Sequence, residues 1–112
     1  MVMRERAVRV PVDGVSLRIA AASGRLVNIS ATGALMRATE PLTPNFDYPI
    51  YLDLPADRIH LTGRVIRSGN ASGQTDAASL ENYLVAVRFT ALPPAARTAV
   101  ARLCGTAFTQ RE

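Results

Sequence analysis

Short segments in which apolar and polar residues alternate restrict the fold of this chain more than any other feature. Successive side chains of a β-strand point to opposite faces, so this alternation predicts strands with one buried face. A sheet of such strands must also protect its edges, and closure into a small antiparallel barrel does this. Six segments show this pattern and are predicted to be strands: residues 15–19, 25–30, 34–38, 50–54, 59–65 and 84–89.

The same alternation predicts which side chains form the core. In the second predicted strand, Val27 and Ile29 fall on one face, and Asn28 and Ser30 fall on the other. Across the whole barrel, the residues expected to be buried are Val15, Leu17, Ile19, Leu52, Leu61, Val65, Val87 and Phe89.

Glycine, proline and small polar residues predict the connections between the strands. Ser23-Gly24 is a turn signal, and the prolines between residues 40 and 49 indicate a loop. Residues 68–82 are rich in Gly, Ser, Asn and Ala, which predicts a long hairpin loop. Loops of that length are uncommon and are either functional or disordered.

The end of the chain predicts an amphipathic helix. Proline is favoured in a first helical turn, so Pro93-Pro94 predicts the start of the helix, and Gly105 predicts its end. A single apolar stripe joins Ala96, Val100, Leu103 and Cys104. We therefore expect an all-β fold with one helix, a six-stranded antiparallel barrel that the helix of residues 94–104 covers.

Length and composition predict one domain. The chain has 112 residues, which suits a single core. Residues 1–11 predict a flexible, arginine-rich arm, and residues 12–108 the barrel domain with its helix. The apolar stretches are strand-sized and no targeting segment is visible, so we expect a cytoplasmic protein without a membrane span. With one cysteine and one histidine, an internal disulfide and a cysteine–histidine zinc cluster are excluded.

Signals for catalysis and for polymeric nucleic acid are weak. His60 falls on the polar face of a strand, and Cys104 falls on the apolar stripe of the helix, so neither has the context of a catalytic residue. Neither a phosphate-binding P-loop nor a dinucleotide fingerprint is present. Aromatic residues make up 5% of the chain, and none lies in a basic-aromatic run of the kind that stacks bases. We expect a protein that is not an enzyme and does not bind nucleic acid polymers.

The basic residues and one hexapeptide suggest a smaller anionic ligand. All 13 basic residues are arginine, and the net charge is +4. A GC-rich genome would produce this bias, but arginine also suits bidentate contacts with phosphate and guanine. Residues 28–33 form an Asn-x-Ser-x-x-Gly pattern. Such a pattern also occurs in ordinary turns, so residues 28–33 could form either a ligand-binding segment or a turn without ligand.

The order of these features resembles the PilZ family over nearly the whole chain. That family has an arginine motif RxxxR before the first strand and then (D/N)xSxxG. Here Arg4, Arg6 and Arg9 precede Val10-Pro11, and residues 28–33 fill the second motif. Residues 34–38, 61–66 and 85–89 look like the family's later strands. If Arg9 is the second arginine of RxxxR, Glu5 occupies the first position, so Arg4 or Arg6 must substitute for it. Ala86 stands where the family has a glycine.

The resemblance implies an effector module that binds cyclic di-GMP and changes its conformation or its contacts with an effector protein. The implied ligand-binding residues are Arg4, Arg6, Arg9, Asn28, Ser30 and Gly33. The mobile arm would fold over the nucleotide, and no metal or further cofactor is implied. Guanine offers two neighbouring acceptors, O6 and N7, that one guanidinium can bind. The alternative is a degenerate member that acts only through protein–protein contacts.

Overall fold

The computed structural model describes residues 9–55, 57–70 and 82–111, with the last six of these described by their backbone alone. Within these ranges no helix has the length and apolar character needed to cross a membrane. The elements are β1 (Val10–Pro11), β2 (Ser16–Ile19), β3 (Ala22–Ile29), β4 (Gly33–Ala38), β5 (Asp47–Asp53), β6 (Arg58–Asn70), β7 (Tyr83–Ala91) and α1 (Pro94–Arg111).

Six of the strands form a closed antiparallel barrel. They pair in the order β3-β2-β5-β6-β7-β4, and β4 pairs with β3 to close the ring. The predicted fold class, an antiparallel six-stranded barrel with one C-terminal helix, is therefore confirmed. The short β1 lies outside this ring, against the end of β3, where Val10 faces Ile29 and Pro11 faces Asn28. Val10 is buried, so the last two residues of the predicted flexible arm belong to the sheet.

The core lies inside the barrel and continues under the helix. Ile19, Ile29 and Val65 are fully buried, and seven of the eight predicted core residues are buried. Phe89 is the exception: it is half-buried and packs against the margin of the core. On α1 the residues Ala96, Ala99 and Val100 are buried, with Leu103 and Cys104 packed beside them, which confirms the predicted stripe.

Three boundaries differ from the sequence expectations. The first turn lies at Ala20–Ala21, not at Ser23-Gly24, which is inside β3. A side chain at Gly24 would overlap the carbonyl oxygen of Arg37, so this glycine permits close strand approach. The helix continues past Gly105, where we expected an end, because a glycine in a helix costs only about 1 kcal/mol relative to alanine.

The loops are shorter than predicted where they are described. β5 begins at Asp47, inside the proline-rich segment expected to be a loop. β6 extends to Asn70, and β7 begins at Tyr83. The strand ladder thus continues into the predicted 68–82 loop, of which residues 71–81 lie outside the described part of the chain.

The described strand pairs contain three register shifts, one of which lies between Thr62 and Gly63 in the β6–β7 pairing. The other two are β-bulges that interrupt the alternation of buried and exposed residues. In β3 the register shifts between Leu26 and Asn28, so Val27 is the extra residue. In β6 it shifts between Val65 and Arg67, so Ile66 is the extra residue. Val27 is consequently half-buried and does not share the core face with Ile29 as predicted. A bulge exchanges the faces of all residues that follow it.

Candidate functional site

Residues 28–33 form the connection between β3 and β4, and Ser30 organises it. The Ser30 backbone N–H donates to the carbonyl of Gly33 at 2.8 Å. Its hydroxyl oxygen lies 3.2 Å from the backbone N–H groups of both Thr32 and Gly33. Ser30 is 2% exposed, and these contacts satisfy its buried hydroxyl group. The serine of the predicted motif therefore holds the turn.

This arrangement separates two residues that were expected to share one face. β3 ends at Ile29, and the chain turns at Ser30. Asn28 remains half-buried on the outside of the sheet, whereas the Ser30 side chain is buried in the turn. The expectation of a shared face was wrong because strand alternation does not continue through a turn.

Gly33 lies where β4 approaches β7. It pairs with Arg88, and a side chain at this position would overlap the carbonyl oxygen of Val87. The Phe89 N–H donates to the carbonyl of Thr32 at 2.8 Å, which attaches the turn to the same strand. The glycine of the motif thus allows the turn to dock on the β7 backbone.

Arg9 and Asn28, which are 19 residues apart, meet on the outer surface. The Arg9 Nη1 donates to Asn28 Oδ1 over 2.8 Å. Because β1 pairs with the end of β3, the residue before β1 is held next to Asn28. The structure thereby brings together one residue from each predicted motif. Arg4, Arg6 and Glu5 lie outside the described residues.

Asn28 also begins a row of outward-facing residues that crosses the barrel wall. Asn28 faces Leu35 on β4, Leu35 faces Ala86 on β7, and Ala86 faces Arg67 on β6. Leu35 and Ala86 are half-buried, and Arg67 is exposed. A groove of about 280 Å³ includes Leu35, Ala86 and Arg67. Arg67 carries no signal in the sequence that marks it as part of a site, because its place in the row depends on the β6 bulge.

His60 and the two aspartates that flank the β5–β6 connection make contacts within the fold. His60 is exposed and stacks on Tyr51, with ring centroids 4.9 Å apart. Asp53 accepts a 2.8 Å hydrogen bond from the Arg58 guanidinium, and Asp57 accepts one of the same length from the Arg58 backbone N–H. The two aspartate contacts close the β5–β6 connection.

Cys104 is predicted to be a poor nucleophile. It is half-buried on α1, and burial raises the pKa of its thiol. Since the thiolate is the reactive form, a raised pKa leaves less of it at neutral pH. We expect iodoacetamide to modify Cys104 several-fold more slowly in the native protein than in concentrated urea, as measured by mass spectrometry. Equal rates in the two states would contradict the placement of this thiol.

A second groove, of about 540 Å³, lies between α1 and the β5–β6 connection. Leu54, Ile59 and Leu103 contribute apolar surface to it, and Asp57 and Arg102 contribute charges. It does not include any described residue of the 28–33 turn. This groove is a distinct surface that a protein segment could occupy.

Comparisons with known proteins give one family match and one match in fold. A family model described as the PilZ domain matches residues 4–105. No curated protein matches the chain. A solved structure, the Bacillus subtilis inhibitor of motility MotI/DgrA, has a TM-score of 0.75 and 16% sequence identity, over 99% of this chain and 54% of that one. The chain spans about half the length of that structure, and at this identity the likeness concerns the fold.

Proposed function

The chain belongs to the PilZ domain family, and from that premise we propose that it is an effector module that binds cyclic di-GMP. PilZ domains are binding modules, and we propose no catalytic activity for this one. The observation that carries the proposal is the 2.8 Å contact between Arg9 and Asn28. It joins the arginine segment to the Asn-x-Ser-x-x-Gly turn on one outer surface.

The chemistry of the ligand suits this surface. Cyclic di-GMP has two anionic phosphates and two guanines. The exposed Arg9 guanidinium can contact a phosphate or the O6 and N7 atoms of a guanine. Asn28 offers an amide with both donors and an acceptor, so it can pair with polar atoms of a base. Arg9 and Asn28 are therefore proposed as direct ligand contacts.

Ser30 and Gly33 are proposed to act on binding mainly through the backbone. The Ser30 hydroxyl is engaged by two N–H groups of its own turn, and Gly33 fits against the β7 backbone. Together they hold the end of β3, and so set the position of Asn28. Arg4 or Arg6 is proposed to supply the second guanidinium, an expectation that rests on the sequence motif alone.

Ligand binding is proposed to change what an effector protein meets. In the free chain, the Asn28 side-chain oxygen accepts its hydrogen bond from Arg9. A ligand that bonds to the Arg9 guanidinium or to the Asn28 side-chain oxygen must break or change this hydrogen bond. The segment before β1 would then move with Arg9. Ordering or release of a terminal segment is a common form of molecular switch. We also propose a cytoplasmic location, in keeping with a soluble second messenger.

Isothermal titration calorimetry of the whole chain with cyclic di-GMP tests the proposal. We expect saturable 1:1 or 2:1 binding at physiological salt, weaker at higher salt because exposed charge interactions are screened. Cyclic di-AMP is the matched control, since it keeps both phosphates and lacks the guanine acceptor pair. Absence of binding, or equal affinity for the two dinucleotides, would contradict the proposal.

Glu5→Arg is predicted to increase the affinity. The substitution restores the RxxxR spacing with Arg9 and replaces a charge that repels phosphate with one that attracts it. We expect tighter binding in the same titration, and a gain that becomes smaller at high salt. A charge-conserving Glu5→Asp substitution provides the control. Equal affinities of Glu5→Arg and wild type at low salt would mean that this position does not face the ligand.

Protein–protein interaction without nucleotide is the second candidate function. The groove beside α1 favours it, because apolar side chains line a space of about 540 Å³. Apolar grooves of this kind accept side chains of a partner. If neither the wild type nor Glu5→Arg binds nucleotide, the chain is better explained as an interaction module, and this groove is the first surface to test by substitution.

A further inference from the structure

The β-bulges at Val27 and Ile66 lie beside the same row of outward-facing residues. The row is Asn28, Leu35, Ala86 and Arg67, each directly opposite the next across β3, β4, β7 and β6. The bulge at Val27 immediately precedes Asn28, and the bulge at Ile66 immediately precedes Arg67. Both ends of the row are therefore polar residues that directly follow an inserted residue.

The β6 bulge decides where Arg67 points. Val65 is fully buried, and in a regular strand the residue two positions later faces the same side. If β6 continued through Ile66 as a regular strand, the Arg67 guanidinium would therefore face the core. Because the strand bulges at Ile66, Arg67 is exposed and lies opposite Ala86. Bulges are frequent next to binding sites, where they redirect a side chain.

The two middle residues of the row, Leu35 and Ala86, form an apolar surface that suits a planar ring. Leu35 and Ala86 are both half-buried between buried neighbours of their own strands. The groove beside them, about 280 Å³, is bordered by Arg67 and by the small residues Ser68 and Gly69. A side chain at Gly69 would meet nothing within 4 Å, so this border is open. A planar ring can lie on Leu35 and Ala86 with its edge toward Arg67.

Building on the proposed function, we infer that Arg67 is a specificity-determining residue that binds the edge of a guanine whose face lies on Leu35 and Ala86. Neighbouring strands are about 4.8 Å apart, so the path from Asn28 to Arg67 around the outer wall is roughly 14 Å, three of the six strand steps of the closed barrel. A dinucleotide that reaches both residues follows the curve of this wall. Arg9 and Asn28 thus contact one part of the dinucleotide, and Arg67 contacts the other. The planar guanidinium matches O6 and N7 of guanine with two hydrogen bonds, which a lysine cannot reproduce.

The test is calorimetric titration of cyclic di-GMP into the wild type and three variants: Arg67→Ala, Arg67→Lys and Arg18→Ala. Arg18 is the matched control, because it is an exposed strand arginine that lies on β2, away from the row. We expect Arg67→Ala to weaken binding about tenfold or more, as loss of a bidentate base contact does. Arg67→Lys should weaken it almost as much, and Arg18→Ala should leave it nearly unchanged. Thermal unfolding should be similar for all four proteins.

Each result has a separate meaning. A wild type that does not bind overturns the proposed function, and this inference with it. If the wild type binds and Arg67→Ala behaves like Arg18→Ala, the proposed function stands and the role of Arg67 is rejected. If Arg67→Lys retains wild-type affinity, the guanine assignment is overturned, because a point charge is then sufficient.

Discussion

Gly33→Ala should lower the free energy of unfolding by about 2–3 kcal/mol, the upper part of the range for overpacked positions. The added methyl group would overlap the Val87 carbonyl oxygen, which belongs to the backbone of β7. A flexible side chain could move aside, but a paired strand cannot do so without losing hydrogen bonds. β4 and β7 would have to separate near the end at which Gly33 faces Arg88. Urea unfolding followed by circular dichroism measures the effect.

Gly69→Ala is the matched control for this substitution. Gly69 also lies in a strand, and a side chain there would meet nothing within 4 Å. Alanine at a glycine position with room and an ordinary backbone conformation is neutral or slightly stabilising. A Gly33→Ala protein as stable as Gly69→Ala would refute the close approach of β4 to β7. Confirmation would mean that the motif glycine is required by the fold even without ligand.

Arg9→Ala should weaken cyclic di-GMP binding about ten- to a hundredfold. Loss of a hydrogen bond to a charged group costs about 1.5–3 kcal/mol, and each 1.4 kcal/mol is about a factor of ten in affinity. Folding should be affected far less. The Arg9–Asn28 contact is exposed, so water can replace it at little cost. The expected result is a large change in the titration with a nearly unchanged unfolding curve.

Two further variants make this result specific. Arg18→Ala removes the same charge from an exposed position on β2, and its affinity should stay within about twofold of the wild type, since distant surface charges are screened. Asn28→Ala removes the other partner and should also weaken binding. If Arg9→Ala and Arg18→Ala have equal affinities, then Arg9 contributes only to net charge and the proposed contact is absent.

Some residues of the candidate site have the positions that the sequence predicted, and others have a different role in the fold. The pattern at residues 28–33 and the arginines before Val10 were sufficient to select Arg9, Asn28, Ser30 and Gly33. The structure places Arg9 against Asn28, but it gives Ser30 and Gly33 contacts within the fold. A sequence pattern shows which residue types occur together. It does not show whether a hydroxyl group is already engaged by neighbouring N–H groups, as that of Ser30 is.

The closed barrel, most of its core and the buried stripe of the helix could be predicted from the amino-acid sequence. These depend on periodicity: burial of one face requires an apolar residue at every second strand position or along one helical stripe, and Leu17, Ile19 and Val100 follow this rule. The bulges at Val27 and Ile66, the close strand contacts at Gly24 and Gly33, and the row that joins Asn28 to Arg67 could be seen only in the folded chain. These features depend on the register between strands distant in sequence, where one inserted residue exchanges the two faces.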